Sequence, residues 1–454
     1  MSVISTSDDS VLEIESSAMA PLAEPLFGVA GSPGTRLLAG PARSLGTETL
    51  AGHDHRLGIV ELDDVTPQAL RDTVRASGLL GRGGAGFPMA TKLDLAAASP
   101  GTPIVVVNAS EGEPASRKDH TLLELRPHLI LDGAHVAATA VGADEIVVYS
   151  HHANWRANAA LLRALGERRD AGRANLPVRV INAPDRYVAG ETSAVVSYLS
   201  GNGALPRRGA QPAAKVGIAG RPTVVNNAET FAHLALIARF GPAWFSQAGT
   251  PEAPGSTLIT LAGSVAVPGL VVEIVGPVTI GHVLESMGGL DAAPRAVLLG
   301  GYGGTWITGE AAWCTPLERH HLGARGLSLG CGLLAVLDDD ACGLVETARL
   351  LRWLAGQSSG QCGPCVFGLP ALAELVDDIA AGTSRRADLR RLREHAASVR
   401  GRGACGHPTG AVNLVESALE TFTPELAMHL RGEVCDPSGG PAPFPLPHER
   451  AVRR

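Results

Sequence analysis

Aromatic residues make up only 4% of this 454-residue chain, so it has few rings on which to stack a planar ligand. Lysine is scarcer: Lys92, Lys118 and Lys215 are the only three among 38 basic residues, so each draws notice as a chosen cation. Cysteine is absent before Cys314, and the seven that occur are an odd number. A disulfide framework would not cluster so late in a long chain, whereas a metal or redox site would. No run of about 20 apolar residues occurs. The most apolar stretch, 258–280, is broken by Pro268, Glu273 and Pro277 and rich in β-branched residues, so it reads as strands. A net charge of -7 leaves no basic field for nucleic acid or an anionic membrane. The N-terminus carries Asp8, Asp9, Glu13 and Glu15 with no basic segment before an apolar one. No signal peptide is expected, and the chain reads as cytoplasmic and not membrane-embedded.

What is present is a foldable chain, 45% apolar and long enough for about three domains. Residues 1–60 are Gly/Pro/Ser-rich and read as an irregular arm. Over 61–250, helical spacing at 66–77, 129–141, 153–168 and 225–240 alternates with apolar runs at 104–107, 145–150 and 177–181. That alternation predicts α/β architecture, a parallel sheet covered by helices. Residues 251–330 hold short strands at 257–263, 269–275 and 296–299 and a helix near 279–287, a small α+β module. Over 331–430, helical spacing at 342–357, 368–381, 386–399 and 411–422 predicts an all-α four-helix bundle. Residues 431–454 form a Pro-rich tail.

Gly81, Gly83 and Gly86 match G-x-G-x-x-G, but a helical segment precedes them where the dinucleotide fingerprint needs a strand. The glycines still permit close backbone approach to a phosphate or flat ring. Pro88 suits the first turn of a helix aimed at an anion, with Lys92 one turn on. The 104–107 strand runs out into Asn108, Glu111 and Glu113, and ligands of open α/β sheets sit at such carboxyl ends. Far downstream, Cys362 and Cys365 with Cys405 and His407 make a Cys3His donor set. Spacing alone suits structural zinc as well as iron–sulfur. Cys331 and Cys342 lie in apolar runs and read as buried thiols, while Cys314 and Cys435 have no local ligand spacing. The adjacent pair His151–His152 cannot share a face and reads as surface.

Five motifs occur in order: Gly81 to Pro88, Asn108 to Pro114, Tyr187 to Glu191, Val225 to Thr230, and Gln361 to Cys365. Together they resemble the NADH-binding flavoprotein subunit of respiratory NADH:quinone oxidoreductase and the diaphorase subunits of NAD-linked hydrogenases and formate dehydrogenases. The likeness runs from about residue 79 to 422. It implies a Rossmann-like flavin domain, a ubiquitin-like β-grasp (soluble-ligand-binding) module and a four-helix iron–sulfur bundle. It implies that Gly83, Gly84, Lys92, Asn226 and Asn227 meet the FMN phosphate and ribityl chain. Gly81, Arg82, Gly86 and Phe87 would complete that loop. Asn108, Glu111, Tyr187 and Glu191 would flank the isoalloxazine, and Glu113 would orient a nicotinamide.

The resemblance also implies a 4Fe-4S cluster on Cys362, Cys365 and Cys405. Ser359 stands where the family has its first cysteine. His407 is then the first expectation for the fourth ligand and Ser359 the second, with a three-iron cluster or no cluster as the other states. Electrons would pass to a ferredoxin or a thioredoxin-like iron–sulfur subunit. NAD(H) contacts are thinned: Leu95 and Pro212 replace stacking rings, Thr192 replaces a carboxylate, and Gly209 replaces a lysine beside Arg208. Losses of this kind sum to roughly 3–5 kcal/mol of dinucleotide affinity. The alternative of another class is a non-catalytic scaffold with a Cys3His zinc site and a vestigial cleft, which would be colourless.

Overall fold

The computed structural model describes residues 3–4, 27–30, 35–435 and 442–447. Its first sheet contains four parallel strands, in spatial order Val178–Ala183, Glu145–His151, Ile104–Ala109 and Thr223–Asn227. Residues Val3–Ile4 pair antiparallel at one edge. The central strand Ile104–Ala109 is β-branched and buried on both faces, as helix-covered parallel strands are. Its covering helices have legible ends. Pro67–Ser77 starts on the Thr66 hydroxyl, which accepts from the Ala69 amide, and stops at Gly78 with φ +66°. Pro127–Val141 starts with proline and stops at Gly142 with φ +70°. It crosses Ala228–Phe245 so closely that a Cβ on Gly133 would lie 1.8 Å from the Phe231 carbonyl oxygen.

The helix expected over 225–240, starting after Asn226–Asn227, does start there, but the strand before it has no counterpart in the expected elements. Thr223–Asn227 is a fully buried strand, and the helix begins at Ala228. A β-branched run beside the buried strand Ile104–Ala109 pairs more favourably in the sheet than in a helix. This strand matters because the chain order of the strands reverses between Ile104–Ala109 and Thr223–Asn227. A switch of that kind is where open α/β sheets form their ligand crevice, at the carboxyl ends of both strands.

The second sheet has the order Thr305–Thr308, Ala296–Leu299, Leu333–Leu337, Thr257–Gly263, Val271–Ile274 and Phe27–Ala30. Two of its strands lie outside the expected 251–330 module. Leu333–Leu337 pairs parallel with Thr257–Gly263, so the module extends past residue 330. Phe27–Ala30, from the arm, pairs parallel with Val271–Ile274. The arm also contains the helix Leu50–Leu57, capped by Thr49. The helices Gly343–Gly356, Leu369–Ala380, Arg386–Val399 and His407–Thr421 follow, with Thr423–His429 added. In the tail, Phe444 is buried against Tyr302 and Trp306, and the Tyr302 hydroxyl donates to the Pro445 carbonyl at 2.6 Å. Residues 1–2, 5–26 and 31–34 of the arm and 436–441 and 448–454 of the tail lie outside the described residues. Among the described residues no helix is long and apolar enough to cross a membrane.

Glu273 welds the arm to the second sheet. Its fully buried carboxylate accepts the backbone N–H groups of Arg36, Leu37 and Leu38 at 3.1, 2.9 and 3.1 Å, and the Ser256 hydroxyl at 2.6 Å. Glu273→Ala strands these donors without water and is expected to cost about 3–5 kcal/mol, read as a lower denaturant midpoint.

Candidate functional site

The glycine loop folds back on itself at the crevice. The Gly81 amide donates to the Phe87 carbonyl at 2.9 Å, and the Met89 amide to that of Leu79 at 2.9 Å. Gly84 and Gly86 take φ of +114° and +63°, left-handed values that side chains resist. The loop leads into the helix Met89–Ala98, whose Lys92 reaches the end of Thr223–Asn227. Its ammonium donates to the Val225 carbonyl at 2.9 Å and the Asn226 Oδ1 at 2.8 Å. An ammonium has three donors, so one stays available. Burial pulls Lys92 down to about 8, the state of a cation short of a counter-anion. Asn227 is anchored differently: its amide donates to Asp119 at 3.0 Å, while its Oδ1 accepts the Thr230 hydroxyl at 2.5 Å.

The two glutamates of the acidic loop differ. Glu111, at φ +38°, gives its carboxylate to the start of the helix Lys118–Leu125. It accepts the Asp119 and His120 amides at 3.2 and 2.9 Å and the Ser116 hydroxyl. Glu113 is equally buried but half spent. Its Oε2 accepts the Tyr302 amide at 3.0 Å and the Tyr187 hydroxyl at 3.3 Å, while its Oε1 has no partner. Burial, opposed by those two hydrogen bonds, pushes its pKa up to about 7.

Other expected residues are positioned by local chemistry. Asn108 donates to the Gly190 carbonyl at 2.8 Å, and its Oδ1 accepts the Ser110 hydroxyl at 2.8 Å. Glu191 caps the helix Thr192–Leu199, accepting the Ser193 and Ala194 amides at 2.9 and 3.1 Å. Beyond it opens a cavity of about 660 Å³ bordered by Thr192, Ser193, Arg207, Arg208 and Gln211. Phe87 is 47% exposed and available for stacking. Arg82 turns away: it donates to the Pro254 carbonyl at 2.7 Å, and burial draws it down to about 10. Gly83 keeps its backbone at the crevice, where an added Cβ would sit 3.7 Å from Asn227.

Tyr187 joins this crevice to the helices. Its amide donates to the Gln357 Oε1 at 3.1 Å, and its ring packs 5.3 Å from both Trp353 and His407. Just past Gln357 lies the thiol site. The Ala404 amide donates to the Cys362 sulfur at 3.4 Å. Burial, then the neighbouring thiols Cys362 and Cys405, push Cys365 up to about 12, while Ser358 donates to its sulfur. Burial also raises Cys405, whose sulfur accepts the His407 backbone amide and feels the charge of Glu191. The buried Cys365 thus lies beside two half-buried thiols, Cys362 and Cys405, and the three make one sulfur donor set.

The His407 ring, the first expectation for the fourth ligand, has one nitrogen already engaged. His407 Nε2 donates to the Leu354 carbonyl at 2.9 Å, its ring packs on Tyr187, and its backbone amide donates to the Cys405 sulfur. Ser359, in contrast, is buried in the loop that touches Cys365 through Ser358. A single tetrahedral zinc requires ligand atoms about 3.5–3.8 Å apart. Among the described residues, no three ligand atoms at Cys362, Cys365, Cys405 and His407 fall within 4.8 Å of one another. A multi-iron cluster spreads its thiolates wider than one ion does, so this arrangement suits the cluster better.

Sequence reasoning passed over several residues. Lys118 is buried between Asp119 and Glu229, at 3.2 and 2.8 Å. Lysine scarcity was a signal for it, as for Lys92. Arg319 clamps the glycine loop by donating to the Gly84 carbonyl at 3.1 Å, and Tyr302 holds Glu113; neither had a local motif.

Residues 74–236 match the family model for the Nuo51 FMN-binding domain, and residues 346–429 match that for the NADH-ubiquinone oxidoreductase-F iron-sulfur binding region. The chain is 33% identical over 385 residues to the F subunit of the NADH-quinone oxidoreductase of Streptomyces coelicolor, covering 82% of this chain and 85% of that one. It is 29% identical to the NADP-reducing hydrogenase subunit HndC of Solidesulfovibrio fructosivorans, covering 83% and 79%. It also superposes on a chain of the NAD+-reducing NiFe-hydrogenase in its H2-reduced state with a TM-score of 0.72 at 31% identity. The match there covers 82% of this chain but only 63% of the hydrogenase chain, under two thirds of its length. With its crevice, its thiol site and a relative this similar over most of both lengths, the chain belongs to the family of NADH-quinone oxidoreductase F subunits.

Proposed function

We propose that this chain is a flavin- and iron–sulfur-dependent oxidoreductase module that moves electrons from a nicotinamide donor through FMN to an iron–sulfur cluster. The observation that carries this reading is Tyr187. Its hydroxyl holds the half-spent Glu113 at the crevice, while its ring and amide lie against His407, Trp353 and Gln357 beside the thiols. One residue thus bridges a flavin-type cleft and a metal-type donor set. The finer assignments belong to the same reading: a Rossmann-like flavin domain, a β-grasp module around the second sheet, and a four-helix iron–sulfur bundle.

FMN, when bound, accepts a hydride and releases electrons singly, and the redox chemistry is the cofactors' own. The chain's residues bind and orient. Lys92 offers its free donor to a phosphate, and the amides of Gly83 and Gly84 admit a close anion. Glu111, Asn108 and Glu191 shape the loops, since their polar atoms are largely committed to backbone. Glu113 differs: its free Oε1 orients the donor's carboxamide by accepting or, when protonated, donating a hydrogen bond. The cavity past Glu191 suits the rest of a dinucleotide, with Arg207 and Arg208 facing its phosphates. Cys362, Cys365 and Cys405 would hold the cluster, with the Ser359 hydroxyl as the fourth ligand. An iron–sulfur protein, ferredoxin-like or a companion subunit, would take the electrons onward.

Anaerobically prepared protein is expected to be yellow-brown, with FMN, iron and acid-labile sulfide. Absence of both flavin and sulfide after reconstitution would favour the zinc scaffold. Ser359→Cys should change the electron paramagnetic resonance signal of the reduced cluster and increase iron retention, whereas His407→Ala should leave iron content unaltered. An unchanged signal in Ser359→Cys would remove Ser359 from the ligand set. Glu113 titrates near 4.5 when unfolded and near 7 in the fold. Between those values the folded protein holds the extra proton, so its stability falls as pH rises and levels off above 7. This group's share is about 3 kcal/mol. Glu113→Gln should flatten that slope in denaturant titrations and lower kcat/KM for NADH.

A further inference from the structure

A second donor cluster lies outside the electron path, at the far end of the helical region. Cys342 precedes the helix Gly343–Gly356, His429 ends Thr423–His429, and Cys435 follows on the segment that leaves the helices. His429 is fully buried. Its Nε2 lies 3.3 Å from the Cys435 sulfur and 3.7 Å from that of Cys342, and all three ligand atoms fall within 4.8 Å of one another. It is the one such group among the described residues.

The imidazole tautomer follows from its neighbours. Nδ1 faces the Ile379 carbonyl at 3.1 Å and must donate, so it carries the proton. Nε2 receives the Cys435 amide at 3.2 Å and must be the bare nitrogen. A carbonyl that fixes one imidazole nitrogen and leaves the lone pair of the other for a metal is the usual second support of a metal-bound histidine; here the metal would take the place of the Cys435 amide. Cys342 sits at a helix N-terminus, where burial and the neighbouring Cys435 thiol push it up to about 11 against the Leu344 and Val345 amides that point at its sulfur, the state of a thiol that a cation would deprotonate. The Arg295 guanidinium lies within electrostatic range of both thiols and is itself paired with Glu425. Tetrahedral zinc with Zn–S of about 2.3 Å and Zn–N of about 2.0 Å separates N from S by about 3.5 Å. The spacings of 3.3 and 3.7 Å bracket that value.

We propose that Cys342, His429 and Cys435 form a Cys2His site for a divalent zinc ion, distinct from the iron–sulfur thiols, with its fourth position open to water. Two thiolates and one Zn2+ sum to zero charge, which suits a buried location. Binding releases the two thiol protons and involves no change of oxidation state. The ion clasps the segment after Thr423–His429 onto the start of Gly343–Gly356.

The test uses the full-length protein prepared anaerobically and measures zinc alongside iron. A Cys362→Ser/Cys365→Ser background keeps zinc from lodging in the iron site. One zinc per chain is expected there, falling at least tenfold on adding Cys342→Ser/Cys435→Ser. In the otherwise unaltered protein, the Cys342→Ser/Cys435→Ser pair should leave iron unchanged. Should those variants fail to fold, the unaltered protein still decides: added zinc should protect Cys342 and Cys435 from alkylation, and cobalt should produce thiolate charge-transfer bands with tetrahedral d–d absorption. Zinc no higher than in the double variant, alkylation indifferent to zinc, or a Cys342–Cys435 disulfide in the anaerobic protein would each overturn the proposal.

Discussion

The buried ion pair of Lys118 with Glu229 is the constraint on which the crevice depends. Glu229 opens the long helix after Thr223–Asn227, and its Oε1 accepts the Leu258 amide at 2.8 Å, in the strand Thr257–Gly263 of the second sheet. Lys118 opens the helix that Glu111 caps, and Asp119 beside it holds both Asn227 and the Glu229 amide. Burial alone would discharge the ammonium, but Asp119, Glu229 and Glu111 together hold it charged. One lysine therefore ties the carboxyl ends of two parallel strands to a separate sheet. A buried charge group of this kind is worth little as net stability, yet breaking one member leaves the others unpaired and costly. Its value here is positional: it sets the mouth of the site.

A second constraint acts where the crevice meets the helices. Glu113 is held by Tyr302 from the second sheet's connections and by Tyr187 from the first domain, with Gly301 so close that a Cβ there would lie 2.7 Å from Oε2. Gly303 and Gly410 approach one another near the Tyr187 hydroxyl for the same reason. Small residues let three parts of the chain converge on one carboxyl group. Electron transfer between a flavin and a cluster needs short separation rather than a shared base.

Much of the architecture was legible in the sequence. Helix and strand periodicities placed most elements, because amphipathic spacing is local. The failures were also physical. The strand Thr223–Asn227 was missed because a short buried β-branched run has no distinguishing period. Leu333–Leu337 and Phe27–Ala30 were misallocated because strand partners come from distant chain. Among site residues, Lys92 and the glycines lay within one motif and were found. Arg319 and Tyr302 act through long-range backbone contacts and had no local signal.

The sequence by itself determined the repertoire: a glycine loop with a lysine one turn on, two acids at a strand end, and a thiol set one cysteine short. Only the tertiary structure decided which of those polar groups remain free. Glu111 is spent on a helix start while Glu113 keeps one oxygen open; His407 is spent on Leu354 while Ser359 lies in the loop against the thiols. It also gathered Cys342, His429 and Cys435, 87 and 6 positions apart, around one bare nitrogen. The reason is common to all three. A side chain's chemistry depends on which hydrogen bonds and charges already occupy it, and those partners are supplied by folding from remote parts of the chain.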